Sequence, residues 1–237
     1  MDIASLFLDS DLIDATHTFS ATTPIWPNNT KLLRCPTGGD NYNAEAYVLS
    51  GGCGTHTDAP LHFKKGMKSI SDLEQDDLVS PLVLIDATKQ CSQNHDYALS
   101  KADILLWEAE NGTIPNGAFV AMRSGWSSRW HSEQEFQNFG SDGQMHFPGF
   151  SGEAAHFLIE ERDIHAIGID TLSLDIGMSM DFIVHITILG AGKYQVENMD
   201  LRDSRIPAKG AWIIASPMKL KDAPEAPTRV LIVVPKK

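Results

Sequence analysis

Residues 54–63 read Gly-Thr-His-Thr-Asp-Ala-Pro-Leu-His-Phe and bring two histidines and a carboxylate together within seven positions. In an extended chain, alternate side chains point the same way, so His56, Asp58 and His62 would share one face. Two imidazoles and a carboxylate are suitable ligands for a divalent transition metal. Pro60 lies between the histidines and excludes the helical H-E-x-x-H pattern of zinc proteases. Surface or core histidines are the alternative, but this spacing favours a metal or catalytic site.

The chain of 237 residues is 42% hydrophobic, which allows a sizeable core. It contains neither a low-complexity linker nor an internal repeat, so we expect one domain spanning residues 1–237. The three cysteines are widely spaced and form no CxxC pair, which argues against a structural cysteine–zinc site. Free thiols are typical of a reducing compartment, and we therefore expect a cytoplasmic protein.

Charge excludes several classes of partner. The formal net charge is -12, with 31 acidic and 19 basic residues and no basic cluster that would neutralise phosphates. No apolar run approaches the roughly 20 residues of a membrane-spanning helix. Residues 1–12 carry three aspartates and no basic residue, unlike a signal peptide. We expect neither nucleic acid nor membrane as a partner, and a small molecule as substrate.

Apolar runs and capping residues predict a mixture of strands and helices. Strands are expected over residues 79–88, 118–122, 166–170, 212–215 and 230–234. Helices are expected over residues 100–111 and 151–162, with Ser100 and Ser151 as N-caps. This mixture indicates the α/β class.

A metal site of this kind needs a further ligand from elsewhere in the chain. His185 and Glu197 each interrupt an apolar stretch, and residues 190–192 read Gly-Ala-Gly, which is typical of a turn. A strand–turn–strand path would bring both side chains towards the first cluster. Alternatively, His185 is a core histidine with satisfied hydrogen bonds and Glu197 is a solvated strand end.

Residues 52–63 resemble the pattern H-x-G-T-H-x-D-x-P-x-H-F of the cyclase-type metal-dependent hydrolases, which include bacterial kynurenine formamidase and isatin hydrolase. Every specified position matches except the first, where Gly52 replaces a histidine. The resemblance extends over almost the whole chain, through residues 123–126, 147–151, 168–175 and 216–218 in the family's order.

The resemblance implies a swivelling β/β/α domain within the α/β class, and a homo-oligomer, either a dimer or a tetramer. It assigns metal binding to His56, Asp58 and Glu197. His185 becomes a ligand or a group that orients one, and His62 becomes the proton-transfer residue.

Gly52 determines the expected number of metal ions. In two-metal relatives the histidine at this position helps to hold a second ion, and glycine offers no donor atom. We therefore expect one divalent ion, Mn²⁺ or Zn²⁺, because mixed imidazole and carboxylate ligands do not discriminate between these two metals.

The expected reaction is hydrolysis of a small cyclic or aryl amide, a carbon–nitrogen bond other than a peptide bond. A divalent ion lowers the pKa of bound water towards about 7, which supplies hydroxide at neutral pH. A lactone or ester hydrolase is the alternative within this family. A degenerate relative that binds a small molecule or metal without turnover is the alternative outside enzymes, and Gly52 is the feature that favours it.

Aromatic side chains are candidates for the substrate pocket. Trp26, Phe63 and Trp126 are expected to stack against a planar substrate, although ordinary core packing explains such residues equally well. Asp170, Ser173 and Asp175 follow a predicted buried strand and either orient the metal ligands or form turns.

Overall fold

The computed structural model describes residues 9–236. Most of the acidic N-terminal segment, residues 1–8, therefore lies outside the described residues. The described part forms these strands: β1 Ser10–Asp14, β2 Leu33–Pro36, β3 Glu45–Val48, β4 His56–Asp58, β5 Val79–Asp86, β6 Ala98–Leu99, β7 Phe119–Arg123, β8 Gly149–Phe150, β9 Ala166–Ile169, β10 Tyr194–Glu197, β11 Ala211–Pro217 and β12 Glu225–Pro235. The α-helices are α1 Gln75–Leu78, α2 Thr88–Gln93, α3 Lys101–Asn111, α4 Glu133–Gln137, α5 Gly152–Glu160 and α6 Ile183–Gly190.

The main sheet is mixed and closed. Its strand order is β1-β12-β11-β5-β7-β9-β10-β4, and β4 also pairs with β12. Strands β5, β7, β9 and β10 are parallel neighbours, whereas β4, β11 and β12 pair antiparallel. Because β4 is bonded to β10 on one side and β12 on the other, the sheet closes into a barrel. This architecture confirms the predicted α/β class.

The barrel has a core inside and a helical layer outside. Along β5, Leu82 and Leu84 belong to one buried cluster while Val83 and Ile85 belong to another, as strand alternation requires. The inner cluster includes Phe119 from β7, and the outer cluster includes apolar residues of α3, α5 and α6. Alternate residues along a strand therefore face the barrel core and the outer helices in turn.

Local capping signals position two of these helices. The Ser100 hydroxyl accepts the Asp103 backbone N–H, and the Asp103 carboxylate accepts the Ser100 backbone N–H. The Ser151 hydroxyl likewise accepts the Ala154 N–H at the start of α5. Both predicted N-caps are confirmed, and α5 ends two residues before the predicted boundary.

The prediction of a strand–turn–strand path around His185 is wrong, because this residue lies in helix α6. Strands β9 and β10 are parallel, so the chain must cross over between them, and a helix commonly makes that connection. The Asp175 carboxylate accepts the N–H groups of Val184 and His185 at 2.9 and 3.1 Å, which stabilises the first turn. Tertiary connectivity outweighs the strand preference of the β-branched side chains here.

The prediction that residues 56–62 are extended throughout is also corrected. Strand β4 ends at Asp58, and Pro60–His62 forms a 3-10 helix in which the His62 N–H donates to the Ala59 carbonyl at 2.9 Å. Pro60 favours this turn because its fixed φ suits the first helical position. His62 therefore approaches the site from a turn rather than by strand alternation.

Within residues 9–236, no helix combines the length and the apolar character needed to cross a membrane.

A buried hydroxyl pair helps to close the barrel. The Oγ1 atoms of Thr57 in β4 and Thr228 in β12 lie 2.7 Å apart, and the Thr228 hydroxyl donates to the Ala226 carbonyl. We expect Thr228→Val to destabilise the protein by about 1–3 kcal/mol, because it leaves the Thr57 hydroxyl buried without a partner. Urea unfolding should show that adding Thr57→Val recovers part of this loss; a double variant less stable than Thr228→Val would contradict the pairing.

His17 makes stability depend on pH. Its backbone N–H donates to Thr55 Oγ1, its ring stacks on Trp130 at 4.0 Å, and burial lowers its pKa from 6.5 to about 4. Because the unfolded chain takes up the proton first, this contribution to stability is complete above pH 6.5 and falls towards pH 4. The pKa difference corresponds to roughly 3 kcal/mol.

We therefore expect His17→Gln to reduce the loss of unfolding free energy between pH 7.5 and pH 4.5. Urea unfolding at both pH values measures this difference. His131→Gln is the matched control, because the His131 side chain is 68% exposed. An equal pH dependence in the wild type and His17→Gln would refute the assignment.

Candidate metal centre

Strand β4 brings distant acidic groups together on the outer face of the barrel. It aligns His56 with Glu197 of β10, and Asp58 with Gln195 of β10 and Glu225 of β12. Between these positions, Thr57 pairs with Val196 of β10 on one side and with Ala226 of β12 on the other. Val196 and Ala226 belong to the barrel core, so the side chains on either side of them point outwards, towards α6.

The orientation of His56 is set by the turn before it. Its Nδ1 lies 2.8 Å from the Gly54 carbonyl, which can only accept, so Nδ1 carries the proton and Nε2 faces the carboxylates. Nε2 lies 3.4 Å from Asp58 Oδ1 and 3.3 Å from Glu197 Oε2. Gly54 has a φ of 67°, and a Cβ atom there would overlap the Phe19 ring. A glycine is therefore required at this turn.

His185 approaches the same carboxylates from α6. Its Nδ1 lies 2.7 Å from Asp175 Oδ2, and its Nε2 lies 3.1 Å from Glu197 Oε1 and 3.8 Å from Asp58 Oδ2. Asp58 and Glu197 thus each present one oxygen towards His56 and the other towards His185. Asp175 both stabilises the start of α6 and orients His185, so the two explanations offered for it hold together.

The buried charges strongly perturb one another. Burial alone would lower the pKa of His56, but Asp58 and Glu197 raise it well above its usual range. Burial likewise opposes the charged form of His185, yet Asp175 and Glu197 raise its pKa to about 10. The imidazoles in turn hold the pKa of Asp58 below its usual range, although burial acts in the opposite direction.

Two buried carboxylate oxygens in this cluster accept no hydrogen bond from the described residues: Asp58 Oδ1 and Glu197 Oε1. They lie 3.4 Å from His56 Nε2 and 3.1 Å from His185 Nε2, but neither contact has hydrogen-bond geometry. Buried carboxylate oxygens are normally satisfied, so an unpaired oxygen requires an explanation. Donor atoms of His56, Asp58 and Glu197 all lie within 4.8 Å of one another. Imidazole nitrogen and carboxylate oxygen are suitable donors for Mn²⁺ and Zn²⁺, so these residues fit a divalent cation.

His62 occupies a different position from the other two histidines. Its side chain is 28% exposed, against 4% for His56 and 5% for His185. Donor atoms of His62, Asp58 and His185 also lie within 4.8 Å of one another. His62 thus stands between the buried cluster and solvent, where a substrate would enter.

A pocket of about 250 Å³ opens above the cluster. Trp26, Phe63 and Phe182 form its aromatic walls, and Ser173 also lines it. The Phe63 ring lies 4.7 Å from the His185 ring and 5.8 Å from the Phe182 ring. Trp26 and Phe63 therefore line the pocket beside the cluster, and their contact with substrate stays a prediction.

Trp126 does not line this pocket. Its indole is buried in a separate apolar cluster with Phe136, Met145, Phe147 and Leu172, and its N–H donates to the Phe136 carbonyl at 2.8 Å. The expectation that Trp126 contacts substrate is therefore corrected. Asp170 accepts hydrogen bonds from Ser124 and Ser127 on either side of Trp126, so it fastens this turn rather than the metal ligands.

Two further residues of the site, Gln195 and Glu225, could not be predicted from the sequence. Gln195 donates from Nε2 to Asp58 Oδ2 at 2.9 Å and so fixes that carboxylate. Glu225 lines the pocket, and its Oε2 lies 3.8 Å from His62 Nδ1. Burial and the nearby Asp58 raise the pKa of Glu225. Only the pairing of β4 with β10 and β12 reveals them, and no local pattern in the sequence marks that register.

Comparisons with known proteins identify the family of this chain. Residues 13–176 match the family model described as "Putative cyclase". The isatin hydrolase of Roseibium aggregatum is 30% identical, covering 95% of this chain and 92% of the relative. The kynurenine formamidase of Delftia acidovorans is 26% identical over 93% of this chain and 96% of its own length.

Solved structures share the fold. A crystal structure of an isatin hydrolase bound to the product analogue thioisatinate superposes with a TM-score of 0.91 at 27% identity, covering 96% of this chain and 94% of that one. The predicted family and fold are thereby confirmed. The chain belongs to the cyclase family of metal-dependent hydrolases.

Proposed function

We propose that this protein hydrolyses a small cyclic or aryl amide with one divalent ion, Mn²⁺ or Zn²⁺, held by His56, Asp58 and Glu197. The observation that carries the proposal is the pair of buried carboxylate oxygens without a hydrogen bond, Asp58 Oδ1 beside the His56 imidazole and Glu197 Oε1 beside the His185 imidazole. The names of the relatives, isatin hydrolase and kynurenine formamidase, support an amide as substrate.

In this proposal His185 orients Glu197 rather than binding the ion. Its Nδ1 faces Asp175, and its Nε2 faces Glu197 at 3.1 Å. Its Nε2 is also not among the donor atoms of His56, Asp58 and Glu197 that lie within 4.8 Å of one another.

A bound divalent ion would activate water near neutral pH and polarise the substrate carbonyl. The protein contributes orientation and charge. Gln195 fixes the Asp58 carboxylate, the Gly54 carbonyl fixes the His56 ring, and His185 Nε2 lies 3.1 Å from Glu197, so the donors converge before substrate binds. Such preorganisation avoids a reorganisation cost during the reaction.

His62 completes the reaction by moving a proton. The oxygen of water adds to the amide carbon, the carbon–nitrogen bond breaks, and the products are a carboxylate and an amine. His62 accepts a proton from the attacking water and returns it to the departing nitrogen, for which its half-buried position at the pocket is suited. A positioned acid–base group of this kind contributes about 10²–10⁴-fold in rate.

The pocket favours a small planar substrate. Its volume of about 250 Å³ lies below the roughly 300–1,000 Å³ of sites for drug-sized ligands. Trp26 and Phe63 supply flat apolar walls. A lactone or ester of similar size is the second candidate, because the same attack on a carbonyl carbon would cleave it.

The assembly, the partners and the location stay predictions: a homo-oligomer, either a dimer or a tetramer, in the cytoplasm, with a small-molecule substrate and no nucleic-acid partner.

We predict that His62→Ala retains the bound ion but loses about 10²–10⁴-fold in kcat. Purified wild type and variant, loaded with Mn²⁺ or Zn²⁺, should be assayed on isatin, N-formylkynurenine and a simple lactone. Metal content measured on the same samples separates loss of proton transfer from loss of the ion.

His131→Ala is the matched control, since this exposed histidine lies outside the pocket. Wild-type turnover in His62→Ala would contradict the proton-transfer role. A wild-type protein that binds neither ion and hydrolyses none of the substrates would instead favour a non-catalytic binding protein.

A further inference from the structure

Gly52 and the carboxylate of Glu225 compete for one space beside the metal centre. A Cβ atom at position 52 would lie 2.5 Å from Glu225 Oε1 and 3.3 Å from His56 Nε2. The first distance is a steric overlap, so any side chain at position 52 would displace the carboxylate. The second distance shows that this space adjoins the nitrogen of His56 that faces Asp58 and Glu197.

The sheet register directs Glu225 into this space. Glu225 is the first residue of β12 and pairs with Asp58, so both side chains leave the sheet on the same face. The backbone of this segment is fixed, because the Ala59 N–H donates to the Pro224 carbonyl at 2.9 Å. Glu225 therefore reaches the pocket from a rigid strand rather than from a mobile loop.

The Glu225 carboxylate makes no hydrogen bond with a side chain or backbone group within residues 9–236. The His62 imidazole is close by, but its Nδ1 lies 3.8 Å from Oε2, which is beyond hydrogen-bond distance. The other oxygen, Oε1, points towards Gly52 and His56. A third carboxylate placed beside Asp58 and Glu197 repels both of them unless a cation lies between them.

We propose that Glu225 is a fourth protein ligand of the divalent ion and supplies, from β12, the donor that Gly52 lacks. This inference rests on the metal site described under Proposed function. The ligand set then contains one imidazole and three carboxylates. Such an oxygen-rich set suits Mn²⁺ more than a set with a second imidazole would.

Ion binding to the metal-free protein tests the proposal without relying on activity. Isothermal titration calorimetry should give the affinities for Mn²⁺ and for Zn²⁺, and electron paramagnetic resonance should follow bound Mn²⁺. We expect Glu225→Gln to weaken Mn²⁺ binding at least about tenfold, since the variant keeps the shape but loses the charge of the donor. Zn²⁺ binding should weaken less, because imidazole contributes more to its affinity.

A compensating variant provides the converse test. Glu225→Gly frees the space beside Gly52, and Gly52→His in the same chain would place an imidazole there. We expect the double variant to bind Zn²⁺ more tightly than Glu225→Gly alone, with the ratio of Mn²⁺ to Zn²⁺ affinity shifted towards Zn²⁺. Glu160→Gln, a change at an exposed carboxylate on α5, is the matched control.

The outcomes separate this proposal from the one on which it rests. If the wild type binds neither ion, the metal site itself is refuted. If the wild type binds and Glu225→Gln binds equally well, only the role of Glu225 as ligand is overturned. An altered pH profile of kcat with unchanged affinity would then show that Glu225 orients His62. Thermal unfolding of each variant identifies any that fails to fold, and Glu225→Ala then replaces it.

Discussion

The double pairing of strand β4 is the constraint on which the site depends. This strand spans only His56–Asp58, yet it is bonded to β10 on one side and β12 on the other and so closes the barrel. Its register decides which side chains face the helices and which enter the core. A slip of one residue would turn His56 and Asp58 inwards and Thr57 outwards, which would destroy both the site and the packing.

Closure of the barrel also buries several ionisable side chains close together, which is unfavourable for folding by itself. Burying ionised groups costs free energy unless they are paired, and the cluster pairs them only in part. The hydrogen bond of Asp175 orients the His185 imidazole, and that of Gln195 orients the Asp58 carboxylate. This arrangement is typical of a preformed cation site. The buried charges reduce the stability of the metal-free fold, but they hold the donor atoms in position for an ion.

Much of this site could be predicted from local sequence, and the rest could not for identifiable reasons. The alternation of His56 and Asp58 is a local property of a strand, and it was predicted correctly. The helix that carries His185 was not predicted. The β-branched residues around His185 favour a strand, whereas the parallel connection from β9 to β10 is made by a helix. Glu225 could not be predicted as a site residue, because it reaches the site only through the pairing of β12 with β4. These two strands are far apart in the sequence, and no residue near Glu225 indicates that they pair.

The location of the ion tests this account most directly. Crystals of the protein loaded with Mn²⁺ should be measured by anomalous diffraction above and below the manganese absorption edge. The account predicts one strong anomalous peak at coordination distance from His56 Nε2 and from carboxylate oxygens of Asp58 and Glu197. A peak centred instead on His185 and His62, or the absence of any peak at this cluster in fully loaded protein, would contradict it.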